Sequence, residues 1–141
     1  MRVGAKDLKP HILFVQPGLL AASSSTGSNM PTQQYRPQLA VALDLPEKQL
    51  ALELARKLRG TVPWCKVGME LFTHAGPGLL EELSAMGFSV FLDLKFYDIP
   101  NTVAQAVKAA AAAGVNMLTL HCQGGERMCR AAAEAAAGVS G

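Results

Sequence analysis

Charge is scarce in this chain: only 17% of its 141 residues are Asp, Glu, Lys or Arg. The formal net charge is +2, and the basic residues are scattered rather than gathered into a stripe. A nucleic-acid-binding surface needs such a stripe, so no nucleic acid is expected as a partner. Cysteine is equally sparse. Cys65, Cys122 and Cys129 are odd in number and lack C-x-x-C spacing. That argues against a disulfide framework and for reduced thiols in the cytoplasm. A zinc site built on His121, Cys122 and Cys129 would lack a fourth ligand, so no metal is expected. No apolar run reaches the ~20 residues of a membrane-spanning helix, which removes the membrane as an expected partner. What the chain has instead is bulk hydrophobicity, 50% of its residues, the composition of a globular α/β protein.

The first 38 residues do not share that character. Residues 21–29, AASSSTGSN, form a small-polar run of linker type. Residues 12–22 are apolar but interrupted by Gln16 and Pro17, and Arg2, Lys6 and Lys9 precede them. This is a faint echo of a signal peptide with too short an apolar core. Residues 1–38 are therefore expected to be a disordered extension, or a non-native one from a reading frame whose natural start is Met30.

From residue 39 onward, short apolar runs alternate with helical patterns. The runs are residues 39–43, 64–67, 88–92 and 115–120, beginning roughly 25 residues apart, the repeat of a strand–helix unit. They are apolar on both faces, as parallel strands covered on two sides would be. Leu50, Leu54 and Leu58 make one helical stripe. Leu79, Leu80, Leu83 and Met86 make a second that stops at Gly87, and Val103, Ala106, Val107 and Ala110 a third that ends near Gly114. An alanine-rich helix over about residues 126–137 should close at Gly138. Four βα units predict a parallel α/β fold with right-handed crossovers. Periodicity alone does not separate an open sheet from a closed barrel.

The chemistry concentrates in residues 91–102, FLDLKFYDIPNT. Asp93 and Lys95 are two apart on a strand and should project to one face. Pro100 suits the first position of a helix, which leaves Asp98 in the short loop before it. Charges of alternating sign in an apolar strand are costly unless paired, so they read as a catalytic network or a structural ion pair. Asp44, Lys66 and His121 fall near the ends of the other strands, so all should emerge on one rim. Asp44 could instead cap the helix that Pro46 and Glu47 open. His121 is equally readable as a hydrogen-bonded rim residue.

The stretch DLKFYDIPNT closely resembles the signature of the orotidine 5′-phosphate (OMP) decarboxylase family. The resemblance runs from about Leu39 to the end of the chain. It takes in the ALD of residues 42–44, the KVG of residues 66–68 and the HCQGG of residues 121–125. A bare D-x-K-x-x-D also occurs in phosphosugar enzymes, whereas the IPNT continuation is specific. The resemblance implies a (β/α)8 barrel that turns OMP into UMP and CO2 with no metal or organic cofactor. It implies Lys66, Asp93, Lys95 and Asp98 as the catalytic array, Lys95 being the proton donor. Asp44, Lys66, Ile99 and Thr102 would bind substrate, with Asp98 and Thr102 reaching across a homodimer interface.

A barrel of this type needs about 200 residues or more, so the chain looks like an N-terminal half, residues 39–141. The family's phosphate-gripping loops come late in the barrel, and turnover by this chain alone is therefore in question. Two other readings stay open. One is a metal-dependent phosphosugar decarboxylase or aldolase of the same superfamily, and the other is an inactive half-barrel.

Overall fold

The computed structural model describes residues 12–15, as a strand, and residues 38–139. A five-stranded sheet has the order β1-β5-β4-β3-β2. Its strands are β1 (Ile12–Val15), β2 (Ala40–Ala42), β3 (Trp64–Gly68), β4 (Ser89–Phe96) and β5 (Val115–His121). β2 to β5 are mutually parallel, and β1 adds antiparallel to the outer edge of β5. The helices are α1 (Lys48–Leu58), α2 (Met69–Ala75), α3 (Gly78–Ala85), α4 (Pro100–Ala112) and α5 (Gly125–Ala137), with a short 3-10 turn at Cys122–Gly124.

The four expected βα units are present, and among the described residues the helices pack on one face of the sheet. In β3, Cys65 and Val67 are fully buried while Trp64, Lys66 and Gly68 are half-buried; β4 begins with the same alternation. The buried set, with Leu43, Val90, Leu92, Leu118 and Leu120, packs against Ala51, Leu52, Leu79, Leu80, Leu83, Val103, Val107 and Met128 of the helices. Each buried Leu, Val or Met side chain among them contributes about 1.5–3 kcal/mol by leaving water. The expectation of two covered faces misread the other alternate set: Trp64, Phe91 and Met117 are apolar, but they stand on the same face as the charged residues.

Three further departures have local causes. α2 escaped the periodicity because seven residues, MELFTHA, are too few to show a stripe; Gly76, at φ 68°, and Pro77 separate it from α3. Gly87 and Gly114 do take the left-handed conformation expected of helix stops, whereas Gly138 does not. Residues 12–15 lie inside the extension expected to be disordered, and they form β1. ILFV is a good strand sequence, and the edge of β5 offers unpaired backbone groups to receive it. The rest of that extension, residues 1–11 and 16–37, lies outside the described residues.

The β4–β5 pairing holds two irregularities that shape everything at the rim. Val90 pairs with Val115 and Phe91 with Met117, leaving Asn116 as an extra residue on β5. Leu92 then pairs with Leu118 and Phe96 with Leu120, so Asp93, Leu94 and Lys95 together face the single residue Thr119. At each bulge a side chain of β5 takes the β4 amide that the ladder leaves out. Asn116 Oδ1 accepts Val90 N–H at 2.8 Å and Thr119 Oγ1 accepts Lys95 N–H at 2.9 Å.

Candidate active site

Four side chains meet at the C-terminal ends of β2, β3 and β4 and form a row of alternating charge. Lys66 Nζ lies 3.1 Å from Asp44 Oδ1 on one side and 3.9 Å from Asp93 Oδ2 on the other. Asp93 Oδ1 in turn accepts Lys95 Nζ at 2.8 Å. Parallel register explains the row, since β3 and β4 run side by side with Lys66 opposite Phe91 and Gly68 opposite Asp93. Gly68 sits at the centre, where a Cβ would make ordinary van der Waals contact, at 3.6 Å, with both Asp44 Oδ1 and Lys66 Nζ.

Exposure is lowest inside the row, 18% for Asp93 and 23% for Lys66, and rises toward its ends, 32% for Lys95 and 67% for Asp44. Asp93 is thus the most enclosed charge. Burial pushes its carboxyl up. Hydrogen bonds from Lys95 and Thr119 and the charges of Lys95 and Lys66 together outweigh that, and hold it below its ordinary value of 3.8. The group is ionised at neutral pH, as a paired carboxylate flanked by two ammonium groups should be. Asp44, Lys66, Asp93 and Lys95 line a cavity of about 280 Å³ together with Gly68 and Met69. Two further cavities among the described residues lie elsewhere: one at the N-terminal ends of β3 and β4, another between α4 and α5.

The alternative of Asp44 as a helix cap is removed. The residue preceding α1 is Glu47, with no side-chain cap, and the Asp44 carboxylate meets Lys66 instead. Asp93 and Lys95 do project together, although a bulge, not a regular pleat, brings them there. Lys95 sits at φ 55°, the only non-glycine residue with positive φ among those described. Backbone strain of this kind clusters at functional sites.

The second half of the motif behaves differently. Asp98 is exposed, and its Oδ1 accepts the N–H of Ile99 at 2.6 Å. Ile99 is 66% exposed and Thr102 is exposed in the first turn of α4. Among the described residues no hydrogen bond or ion pair joins these three to the row. His121 ends β5 with its ring edge-on to Tyr97, centroids 6.0 Å apart, and its Nδ1 is buried without a hydrogen-bond partner among the described residues.

One polar residue of the site escaped the sequence reading. Thr119, 1% exposed, donates to Asp93 Oδ1 at 3.0 Å while accepting Lys95 N–H. A threonine within VNMLTLH reads as an ordinary β-branched strand residue, and its place beside Met117 and His121 was the only available signal. Among the described residues no group of three or more His, Cys, Asp or Glu is placed to hold a metal ion. No described helix is long and apolar enough to cross a membrane. An array of this kind can hold two ammonium groups close to a developing negative charge, with one proton to give.

Comparison with known proteins bears on the family and the fold. Residues 37–140 match the model of the orotidine 5′-phosphate decarboxylase / HUMPS family. An orotidine 5′-phosphate decarboxylase of Nitratidesulfovibrio vulgaris is 55% identical over 97 residues, 69% of this chain and 41% of its own length. Among solved structures, the orotidine 5′-phosphate decarboxylase of Lactobacillus acidophilus is 40% identical with a TM-score of 0.65, covering 70% of this chain and 44% of that one. The enzyme of Methanocaldococcus jannaschii complexed with the inhibitor BMP gives 26% and 0.66, covering 72% and 48%. The chain spans less than half the length of the curated relatives it matches.

Proposed function

Because the chain belongs to the orotidine 5′-phosphate decarboxylase / HUMPS family, we propose that its charged row is the decarboxylation centre for OMP, yielding UMP and CO2. The observation that carries the reading is the pairing of Lys95 Nζ with Asp93 Oδ1 at 2.8 Å, in line with Lys66 and Asp44 over one cavity. Loss of CO2 leaves an electron pair on C6 of the pyrimidine. A fixed ammonium beside that carbon interacts more strongly as the charge develops, which lowers the barrier. Lys95 then delivers its proton to C6, forming the C–H bond of UMP. Asp93, ionised and close to the departing carboxylate, disfavours the bound ground state. Lys66 holds Asp93 and Asp44 in place, and Asp44 offers its exposed carboxylate to the ribose hydroxyls. Neither a metal nor an organic cofactor enters any of these steps.

Asp98, Ile99 and Thr102 stand apart from the row, which suits a role across a homodimer interface. Tyr97 and Ile99, 61% and 66% exposed, supply apolar area for such a contact beside Asp98 and Thr102. Cytoplasmic residence is part of the same reading and accords with three free cysteines. The names of the curated relatives favour this nucleotide decarboxylase over the metal-dependent phosphosugar enzyme.

The test is a chimera in which residues 39–141 replace the matched segment of the N. vulgaris relative, assayed for OMP decarboxylation beside the 141-residue chain itself. The chimera should turn over OMP without sensitivity to a chelator, and Lys95→Ala should reduce kcat by at least ~1,000-fold, a loss of about 4 kcal/mol of transition-state stabilisation. Mixing Lys95→Ala and Asp98→Ala subunits should restore part of the activity, each damaged residue then falling in the same composite site. An active Lys95→Ala chimera would sink the assignment of the proton donor. Chelator-sensitive turnover would favour the phosphosugar alternative.

A further inference from the structure

We propose that Thr119 is the positioning residue of this site: its hydroxyl fixes both the backbone of Lys95 and the orientation of the Asp93 carboxylate. The inference rests on the decarboxylase reading for its purpose, but its geometry is independent of it. Three residues of β4, Asp93 to Lys95, face Thr119 alone across the bulge. Regular pairing would have given the Lys95 amide a backbone carbonyl. Here it donates to Thr119 Oγ1 at 2.9 Å, and the same oxygen donates its proton to Asp93 Oδ1 at 3.0 Å. The hydroxyl therefore uses its single proton and a lone pair at once, inside a residue that is 1% exposed.

Two consequences follow for the reacting groups. Lys95 occupies the left-handed region at φ 55°, a conformation costly for a residue with a Cβ and sustained only by surrounding contacts. The bond to Thr119 is the contact made by its own amide. Asp93 Oδ1 is filled by two donors, Lys95 Nζ and Thr119 Oγ1, which leaves Oδ2 turned toward Lys66 at 3.9 Å. The oxygen available to act on a substrate is thus selected by a residue outside the charged row. The charged groups around Asp93 are Lys66 from β3, Lys95 from its own strand and, beyond Lys66, Asp44 after β2. β5 contributes the neutral Thr119 and, at its end, His121.

The test compares Thr119→Val, which keeps the shape and removes the hydroxyl, with Thr119→Ser, which restores it. Carbon-13 and amide NMR on the full chain read two signatures that a packing role would not move. In Thr119→Val the Lys95 amide should exchange with solvent at least tenfold faster, and the Asp93 carboxyl should titrate at higher pH than in the parent. Both should return in Thr119→Ser. The sign follows from Asp93 lying below its ordinary value: its contribution to stability is present above about pH 3.8 and lost as pH falls through the folded value. Removing a donor shortens that window. Thr119→Ala serves as a second hydroxyl-free variant should Val fail to fold.

In the chimera, Thr119→Val should lower kcat about tenfold or more with little change in KM, and Ser should recover it. Unchanged Lys95 exchange and Asp93 titration in both hydroxyl-free variants would overturn the proposal. A chimera inactive with Thr119 in place would overturn the functional reading instead, and the spectra would still decide the positioning role.

Discussion

DLKFYDIPNT is one continuous motif, yet its two halves meet opposite fates in the fold. Asp93 and Lys95, on β4, are enclosed and satisfied within the chain; Asp98, Ile99 and Thr102, at the β4–α4 junction and in the first turn of α4, are exposed and, among the described residues, make no hydrogen bond or ion pair with the row. The difference lies in what each backbone can reach. Strand residues are delivered to fixed neighbours on β3 and β5, so Asp93 finds Lys66, Lys95 and Thr119 with no loop to order. Loop residues beyond Phe96 have less to hold them: Tyr97 meets the His121 ring, and Asp98 accepts the N–H of Ile99 at the start of α4. Enclosed charges fix one another's position, and exposed ones are left for a partner or a ligand to engage.

The sharpest way to break this contrast is Lys66→Ala. Among the described residues Lys66 is the only cation bridging Asp44 and Asp93, and its loss leaves them without a shared counter-charge. Asp93, partly enclosed, keeps Lys95 but loses its second ammonium neighbour, and Asp44 loses its hydrogen bond; together these should cost about 1–3 kcal/mol of stability. Urea unfolding at neutral pH measures it. A change below about 0.5 kcal/mol would place the row with surface ion pairs of little energetic consequence.

Much of this arrangement was legible in advance, and what was hidden was hidden for a reason. Parallel strands declare themselves because each must bury apolar side chains, and the charges of Asp44, Lys66, Asp93 and Lys95 stand out against them. The bulge was invisible because it belongs to the pairing of β4 with β5, not to either strand. Asp93 and Lys95 were expected to share a face by simple alternation; they do so because Lys95 leaves regular strand geometry and Thr119 takes its amide. Likewise the half-buried second face of the sheet could not be read from Trp64, Phe91 and Met117, whose apolar character says nothing of what covers them.

Lys95 offers a finer test, because two substitutions remove the same ammonium and differ only in backbone freedom. At φ 55°, alanine keeps the penalty of a Cβ in the left-handed region whereas glycine does not. Lys95→Gly should therefore be more stable than Lys95→Ala by about 1 kcal/mol, the reverse of the usual order in a strand. Paired denaturation curves would reveal it. The usual order, alanine above glycine, would mean that the backbone relaxes out of the left-handed region once the lysine is gone.

The smallest expected effect falls on Asp98, and its smallness is what would sharpen the comparison. The carboxylate accepts one exposed N–H, that of Ile99, and lies just before the first turn of α4. A negative charge there interacts favourably with the helix dipole, by about 0.3–1 kcal/mol when exposed. Asp98→Ala should thus cost no more than about 1 kcal/mol, screened further by salt. The Lys95 amide exchange and the Asp93 titration should stay as they were. If the chimera nonetheless loses most of its turnover, Asp98 acts on something outside its own fold, as a residue facing a second subunit's site would. Should Asp98→Ala instead destabilise the chain as much as Lys66→Ala, the two halves of the motif would form one structural unit, and the contrast between them would fail.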